Sequence, residues 1–467
     1  MLFNSYPFLI FFLAVLVTYR AIPARHRVSL VLGASLLFYF LWIPQYLLLL
    51  LVDIGVNYAL LRAMVRSSRP RRYLAAVLVF NLGLLGWFKY AAFIVSSIAA
   101  AWGIFEPVAL PTPKILLPLG ISFYTFMIIA LAVDTYRGDI EPVKSLRDYA
   151  VFMCFFPHLI AGPILRGSEF LPQLRKVTGA SPEQVRRGAW LIASGLVKKV
   201  LLADLLLAPF VNVVFGAPGF ASAPEHLVAV YSFAFQIYFD FSGYTDIARG
   251  AALLLGFELP LNFEEPYLAR DPAEFWRRWH MTLSRWLRDY LYVPLGGNRK
   301  GRARTLVNLM LTMLLGGLWH GAAWNFVIWG GFHGLLLVAH RLLAAGRRRA
   351  ERPLRWSDAL RIVLLFHAVC LLWIFFRANT FADASAVLHR LFTGTYTQTW
   401  PVLQIGIVAL CAALHVLERP ARVHLAVVRE RLSGPWGAVI EGAAIGAVAG
   451  LVYLFGGVGG EFIYFQF

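Results

Sequence analysis

Charged side chains are scarce in this sequence. Asp, Glu, Lys and Arg make up 15% of its 467 residues, while 59% are hydrophobic. A soluble globular domain carries about 25% charged residues, so this composition excludes an ordinary soluble protein. Apolar runs recur along the whole length, and several approach the roughly 20 residues with which a helix crosses a bilayer. The sequence therefore predicts an all-α, polytopic membrane protein.

Cysteine is also rare, and the motifs of several enzyme classes are missing. Cys154, Cys370 and Cys411 stand alone in apolar runs, so each thiol is expected to fill space and no disulfide framework is expected. The patterns G-x-S-x-G, P-loop, H-E-x-x-H and C-x-x-C do not occur. Serine hydrolysis, phosphate cradling, zinc and dithiol chemistry are therefore unsupported, and no bound metal is expected.

Internal repeats, low-complexity tracts and long linkers are absent from the sequence as well. We therefore expect residues 1–467 to form a single integral-membrane domain. The first 20 residues lack the basic start and the small-residue cleavage site of a signal peptide, so we expect them to be retained as the first helix.

The charge that is present is mostly positive, with 43 Lys and Arg against 25 Asp and Glu and a net charge of +18. Arginines cluster at 20–27, 62–72, 341–355 and 419–431. In a membrane protein such clusters mark cytoplasmic loops, so we expect contact with membrane lipids and no nucleic acid. Counting crossings places the N-terminus and residues 378–399 outside. The crossings between residues 73 and 270 are not resolved by this count.

One polar segment, residues 258–304, is unusually informative. Its stretch FWRRWHMTLSRWLRDYLY separates an aromatic arc from an arginine arc on a helical wheel, which predicts one amphipathic helix from a cap at Asp271 to a stop at Pro294. His280 falls on the aromatic arc, away from the arginines. The following NRKGRAR completes a basic platform on the cytoplasmic side, ahead of the apolar run that ends near His320.

Ionisable side chains inside apolar segments are costly and are therefore candidates for function. His320 lies sixteen residues beyond Arg304, about 24 Å along a helix, and glycines around it permit close approach of backbone or ligand. From spacing alone it is a core histidine bonded to a carbonyl, a catalytic group or a metal ligand. His280 alone suggests packing, but a second buried histidine makes it a candidate for acid–base chemistry or donor positioning.

Other buried polar residues are expected to be structural. Asp240 and Asp246 are expected to pair with a buried arginine or to cap a helix broken at Ser242-Gly243. His158 lies between prolines and a glycine, which favours a broken or re-entrant element lining a cavity. His333 is flanked by glycine and is expected to pack.

Taken together, several segments resemble the membrane-bound O-acyltransferase family, and within it the bacterial alginate O-acetylation branch. The resemblance rests on LPLGISFYTF, PHLIAGPILR, YFDFSGYTDIARG, DPAEFWRRWHMTLSRWLRDYLYVPLGGNRKG, GLWHGAAWNFVIWGGFHG, LLWIFFRA and FIYFQF. It covers essentially the full chain, and the blocks around His280 and His320 are the most specific. Met127 departs from the pattern, since glutamine is expected there.

The resemblance implies roughly ten to thirteen membrane helices, with re-entrant or interfacial helices and a central cavity joining both membrane faces. It implies that His320 is the family's essential histidine and His280 the second histidine of this branch. We expect His320 to act as general base and His280 to orient the thioester or donate to the oxyanion. The residues expected to bind an anionic donor are Arg285, Arg288, Asn298, Arg299 and Lys300.

The expected reaction moves an acetyl group from cytoplasmic acetyl-CoA, a substrate and not a permanently bound cofactor, to a cell-envelope polysaccharide. Alginate-like exopolysaccharide, cellulose and peptidoglycan are the acceptors considered. Transfer is direct or passes through a periplasmic or membrane-anchored acetyltransferase partner, and the expected location is the bacterial inner membrane.

Three alternatives stay open from the sequence. In the first alternative the donor is a carrier-protein thioester, as in D-alanylation of teichoic acids. A glycan transporter or lipid-linked sugar flippase would also place His and Asp in the membrane, although it predicts internal repeats. A scaffold for a glycan export machine is the third alternative.

Overall fold

A computed structural model describes residues 2–102, 116–160, 162–343, 355–431, 434–455 and 463. Within these ranges the chain is helical and has no β-strand, which confirms the predicted fold class. The α-helices are α1 Tyr6–Ala21, α2 Ala24–Phe40, α3 Pro44–Arg66, α4 Pro70–Leu85, α5 Ala91–Trp102, α6 Ile121–Arg137, α7 Leu146–Cys154, α8 Phe156–Leu159, α9 Gly167–Leu174, α10 Pro182–Leu196, α11 Ala208–Gly216, α12 Ala223–Leu254, α13 Pro272–Arg278, α14 Met281–Leu287, α15 Arg302–His320, α16 Trp324–Leu343, α17 Ala359–Arg377, α18 Phe381–Thr393, α19 Val402–Arg431 and α20 Pro435–Phe455. Segments of π-helix occupy Gly86–Tyr90, Val197–Leu207 and Arg288–Tyr292, and 3₁₀ turns occupy Pro266–Leu268 and Trp356–Asp358.

Five helical stretches in the described ranges are long and apolar enough to cross a membrane. They are Pro44–Arg66, Pro70–Trp102, Trp324–Leu343, Trp356–Arg377 and Val402–Ala421. Large apolar side chains such as Val79 and Leu403 are exposed on them, as lipid-facing side chains are. The protein is therefore a multi-pass membrane protein.

The finer topology stays a prediction. This applies to the ten to thirteen crossings, to the central cavity and to the side of the membrane on which each loop lies. Most of the third arginine cluster, at 344–354, falls outside the described residues, as do residues 462 and 464–467 of the closing FIYFQF segment.

The described chain divides into two compact units. The first comprises Met1–Ala189 with Ala248–Pro260, and the second comprises Trp190–Ile247 with Leu261–Phe467. The single-domain organisation stays a prediction.

The first unit has α6 in its core, where Met127, at the position that departs from the family pattern, is buried. His158 lies on the short helix α8, and its Nε2 is 3.2 Å from the carbonyl oxygen of Phe152. A Cβ at Gly162 would lie 2.3 Å from the Cα of His158, so the turn that follows requires glycine. The predicted break is confirmed, whereas the structural role of His158 and its re-entrant character stay predictions.

A half-open cavity of about 390 Å³ also belongs to the first unit. Lys144, Ser145 and Asp148 line it together with Gly167 and Arg175 at and near α9. Charged residues of both signs surround it, and neither His280 nor His320 is among its lining residues.

The second unit contains two neighbouring lysines, one half-buried and one fully buried, each between two carboxylates. Lys199 Nζ lies 2.9 Å from oxygens of both Asp204 and Asp240, and its side chain is fully buried. Lys198 pairs with Asp246 at 2.9 Å and also with Glu418. Asp240 and Asp246 therefore pair with cations, as predicted, but the predicted arginine partner is wrong, because the partners are Lys199 and Lys198.

The predicted helix break at Ser242-Gly243 is wrong, because α12 runs without interruption through both residues. Gly243 serves close packing instead. A Cβ there would lie 2.7 Å from the carbonyl oxygen of Gly195 on α10, and a Cβ at Gly195 would lie 2.6 Å from the carbonyl oxygen of Gly243. The pair of glycines lets the two helix backbones touch, which brings Lys198 and Lys199 within reach of the α12 aspartates.

Replacing Lys199 should reveal the strength of this pairing. Lys199→Met leaves the buried Asp240 and the half-buried Asp204 without their cation, and we expect the free energy of unfolding in detergent to fall by about 3 kcal/mol or more. Arg187→Met is the control, because Arg187 pairs with Glu258 at 3.3 Å with both side chains largely exposed, and should cost less than about 1 kcal/mol. Equal thermal stability of the two variants would show that the lysine cluster does not hold this unit together.

Candidate active site

The predicted single amphipathic helix in the 258–304 segment is wrong, because the chain breaks between α13 and α14. Trp279 is extended, with φ −97° and ψ 128°, and His280 is left-handed, with φ 41° and ψ 55°. A left-handed backbone in a residue other than glycine costs about 1 kcal/mol or more and persists only when surrounding contacts enforce it. The break turns His280 inward, where it is fully buried.

Asn262 supplies the contacts that enforce the break. Its side-chain oxygen accepts hydrogen bonds from the main-chain N–H of Thr282 at 3.2 Å and from the Thr282 hydroxyl at 3.0 Å. The same oxygen lies 3.1 Å from Nδ1 of His280, and the Asn262 carbonyl accepts from the N–H of Met281 at 2.9 Å. Asn262 thus caps α14 from a distant position in the sequence, which sequence reasoning missed.

Helix α13 is fixed at its start by charges. Asp271 caps it, as predicted, by accepting from the N–H of Glu274 at 2.8 Å. The Glu274 carboxylate in turn accepts from Arg270 at 2.8 Å and from Arg278 at 2.9 Å. Burial opposes ionisation of Glu274, but the hydrogen bonds from Arg270 and the charge of Arg278 outweigh it, so the pKa of Glu274 lies below its ordinary value. Both ends of α13 are therefore held just before the break.

The structure brings the two predicted histidines together. His320 is the last residue of α15, is 4% exposed and lies with its ring centroid 6.4 Å from that of His280. Trp329 at 5.1 Å and Phe376 at 5.4 Å flank His320, and Phe241 meets the ring of His280 edge-on at 4.8 Å. At this separation a small reacting group can reach both imidazoles.

Glycines next to His320 allow this end of α15 to pack closely against α16. A Cβ at Gly317 would lie 2.2 Å from the carbonyl oxygen of Phe326, and a Cβ at Gly321 would lie 2.1 Å from the Phe326 ring. The predicted close approach of backbone near His320 is therefore confirmed. His333, buried on α16, stacks on Phe275 at 5.8 Å with an interplanar angle of 9°, which confirms its packing role.

The five residues predicted to bind the donor follow His280 along the chain. Arg285 lies on α14, and Arg288, which pairs with Asp289 at 2.6 Å, opens the π-helical segment. The turn before α15 contains Asn298, Arg299 and Lys300, which are all exposed, and it forms the basic turn. Their role as binding residues stays a prediction.

Helix α15 connects these residues to the histidine pair. The side chain of Leu287 would meet a Cβ at Gly316 at 3.1 Å, one turn before His320, while Asn308 near the other end donates to the carbonyl of Gly297 at 2.9 Å. The segment after His280 therefore runs antiparallel to α15. Helix α15 separates the histidine pair from the basic turn by about 27 Å.

Residues 74–381 match the membrane-bound O-acyltransferase family. The chain is 42% identical over 399 residues to a probable alginate O-acetylase of Azotobacter vinelandii, covering 84% of this chain and 78% of that protein. It is 37% identical to a peptidoglycan O-acetyltransferase of Helicobacter pylori, covering 83% and 79%. A teichoic acid D-alanyltransferase of Streptococcus thermophilus is 30% identical, covering 58% of this chain and 71% of that protein.

The helical membrane fold and these similarities define an acyl-transferring membrane enzyme. The chain belongs to the membrane-bound O-acyltransferase family. The match spans α13 to α16, and therefore includes both histidines of the pair.

A methyl group at Gly317 should disturb the site through packing alone. Gly317→Ala places a Cβ against the Phe326 carbonyl, which cannot rotate away, so we expect a loss of about 2 kcal/mol in stability and reduced acyl transfer. Gly331→Ala is the matched control, because its Cβ would make an ordinary 3.4 Å contact with Leu314. Thermal unfolding and acyl transfer should separate the variants, and equal behaviour would argue against a tight α15–α16 seam.

Proposed function

We propose that this protein transfers an acetyl group from a thioester donor to a hydroxyl of a cell-envelope polysaccharide. The observation that carries the proposal is the pair of buried histidines, 6.4 Å apart, on segments matched by an acyltransferase family. The relatives named for alginate and peptidoglycan O-acetylation support an acetyl group and a polysaccharide acceptor. Among these acceptors we favour an exopolysaccharide of the alginate kind, because the relative named for alginate has the higher identity of the two.

The chemistry requires one proton acceptor at the histidine pair. An imidazole of His320 takes the proton of the attacking hydroxyl, whose oxygen forms a bond to the carbonyl carbon of the thioester. The carbon–sulfur bond then breaks, and the leaving thiolate recovers the proton from the imidazolium. The products are an O-acetyl ester and a free thiol, so no net proton is consumed. His280 acts beside His320 by holding a reactant in place.

Acetyl-CoA fits the arrangement of basic residues as donor. Its phosphates are anionic, and the turn with Arg299 and Lys300 is exposed and positive. Helix α15 runs from this turn to His320, and in this proposal a long donor anchored at the turn extends along the helix to the histidine pair. We place the turn on the cytoplasmic face of the bacterial inner membrane, in accord with the distribution of arginine.

The acceptor then approaches from the opposite face. In this proposal the polysaccharide receives the acetyl group there, either directly from this protein or from a periplasmic or membrane-anchored acetyltransferase that it loads. The similarity to enzymes named for polysaccharide acetylation supports the acceptor class.

A carrier-protein thioester is the second candidate donor. The similarity to a teichoic acid D-alanyltransferase favours it, although that relative matches only 58% of this chain. Comparing transfer from acetyl-CoA with transfer from a charged carrier protein separates the two donors. The transporter and scaffold alternatives lose their support, because the family is one of O-acyltransferases.

Loss of the His320 imidazole should stop the chemistry and spare the fold. We expect His320→Gln to lower the rate of acetyl transfer by at least about 100-fold, since it removes the base and keeps a side chain of similar size. The exposed His389 on α18 provides the control variant His389→Gln, which should retain activity. Transfer of labelled acetyl groups by purified protein measures the effect, with gel filtration as the test of integrity. Normal turnover by an intact His320→Gln protein would remove the assignment of the base.

The basic turn should act on donor capture. Replacing Arg299, Lys300 and Arg302 by glutamine should raise KM for acetyl-CoA more than it lowers kcat, because these residues lie far from the acyl carbon. Donor capture by wild type should also fall with added salt, since screening shortens to about 8 Å at physiological ionic strength and about 3 Å at 1 M.

A second triple variant controls for total charge. Changing the exposed Arg66, Arg71 and Arg72 to glutamine removes the same charge from another loop. Its salt dependence in uncharged detergent should match that of wild type. If the variant of the basic turn also keeps the wild-type salt slope, the turn does not collect the donor.

A further inference from the structure

The orientation of the Asn262 amide follows from its hydrogen bonds. A main-chain N–H can only donate, so the Asn262 atom that faces the N–H of Thr282 at 3.2 Å must be the amide oxygen. The Thr282 hydroxyl, 3.0 Å from the same atom, is satisfied by donating to it. Reversing the amide would set two N–H groups against each other in a buried site, which excludes the alternative orientation.

This orientation determines which nitrogen of His280 carries hydrogen. Nδ1 lies 3.1 Å from the Asn262 oxygen, which can only accept, so Nδ1 is the donor. In a neutral imidazole the other nitrogen, Nε2, then bears a lone pair. Nε2 is fully buried and has no hydrogen-bond partner within the described ranges of the chain.

Neighbouring groups keep the ring in this orientation. Phe241 meets the imidazole edge-on, at 4.8 Å and 87°, and Phe263 lies 6.4 Å away. The left-handed backbone of His280 is held by the bonds of the Asn262 side chain and carbonyl to the start of α14. Exchanging the two ring nitrogens would require turning a fully buried ring against these contacts.

The lone pair on Nε2 selects between the reactants. The thioester group has only acceptor atoms, and the nearest N–H of the acetyl-CoA arm is separated from the sulfur by two carbons, whereas a sugar presents hydroxyl donors directly beside the one that reacts. The hydroxyl that reacts has a single hydrogen, which His320 takes in the proposed function, so Nε2 of His280 requires a different donor. A second hydroxyl on the same sugar provides it.

We propose that Asn262 is a positioning residue that holds His280 with hydrogen on Nδ1, so that Nε2 accepts a hydrogen bond from the acceptor sugar's hydroxyl next to the one acetylated. The inference rests on the proposed function for its substrate and on the geometry for the tautomer. In this proposal His280 binds the acceptor sugar, and this role replaces the expected donation of a hydrogen bond to the oxyanion. It also specifies the substrate class as sugars with neighbouring hydroxyls.

The tautomer can be measured on the intact wild-type protein without any assay of activity. Labelling histidine with ¹⁵N and comparing wild type with His280→Gln assigns the ring signals, because protonated and bare nitrogens resonate at well-separated frequencies. We expect Nδ1 of neutral His280 to carry hydrogen. Hydrogen on Nε2 would overturn the proposal, whatever the protein's activity proves to be.

Two variants then test the part played by Asn262. Asn262→Leu keeps the size of the side chain and removes the acceptor, so the preference of His280 for hydrogen on Nδ1 should be lost. Thr282→Val is the matched control, because it removes a different hydrogen bond to the same oxygen and leaves His280 untouched. An unchanged tautomer in Asn262→Leu would show that Asn262 does not set it.

Substrate preference provides a readout that packing alone would not move. The probes are a methyl hexopyranoside and its deoxy analogue lacking the hydroxyl next to the acetylated position. Wild type and Thr282→Val should prefer the intact sugar by roughly 100-fold or more in kcat/KM. In Asn262→Leu this ratio should collapse towards one while KM for acetyl-CoA stays unchanged. Equal preference in wild type and Asn262→Leu would refute the role of Asn262, and transfer by neither would instead count against the proposed function.

Discussion

The break between α13 and α14 is the feature on which the histidine pair depends. It places a left-handed residue and several main-chain N–H groups inside an apolar protein, where an unsatisfied donor costs about 1–3 kcal/mol. One side-chain oxygen, on Asn262, serves Thr282 and His280 together. The same set of bonds therefore stabilises the local fold and directs the imidazole, so structure and chemistry are coupled at this point.

Aromatic packing and glycine contacts complete the setting of the pair. Trp329 and Phe376 enclose His320, while the glycine seam between α15 and α16 leaves no space into which its helix could shift. Such surroundings exclude water and hold the ring in one place, which favours proton transfer over a short fixed distance. The two imidazoles are thus enclosed by apolar side chains, whereas the basic turn at the far end of α15 is exposed.

Buried charge elsewhere in the second unit has a different purpose. Lys198 and Lys199 are each matched by two carboxylates, and close packing of Gly195 against Gly243 brings the helices near enough for these pairs. A charge in an apolar interior is tolerated only with such partners. These ion pairs connect α12 and α19 to the π-helical segment Val197–Leu207. They stabilise the unit that contains the histidines.

The sequence by itself determined the features that depend on local pattern and composition. Its apolar runs specify membrane helices, Asp271 specifies the start of α13, and the glycines beside His320 specify close backbone contact. Tertiary structure alone decided the rest. No glycine or proline marks the break at His280, and a wheel drawn over the segment favours one helix, because the bonds that break it come from Asn262, which is distant in sequence. Likewise Ser242-Gly243 resembles a break, but Gly243 is needed for contact with Gly195. In both cases a partner far along the chain outweighs local preference, since buried polar groups and close-packed backbones must be satisfied wherever the fold brings them together.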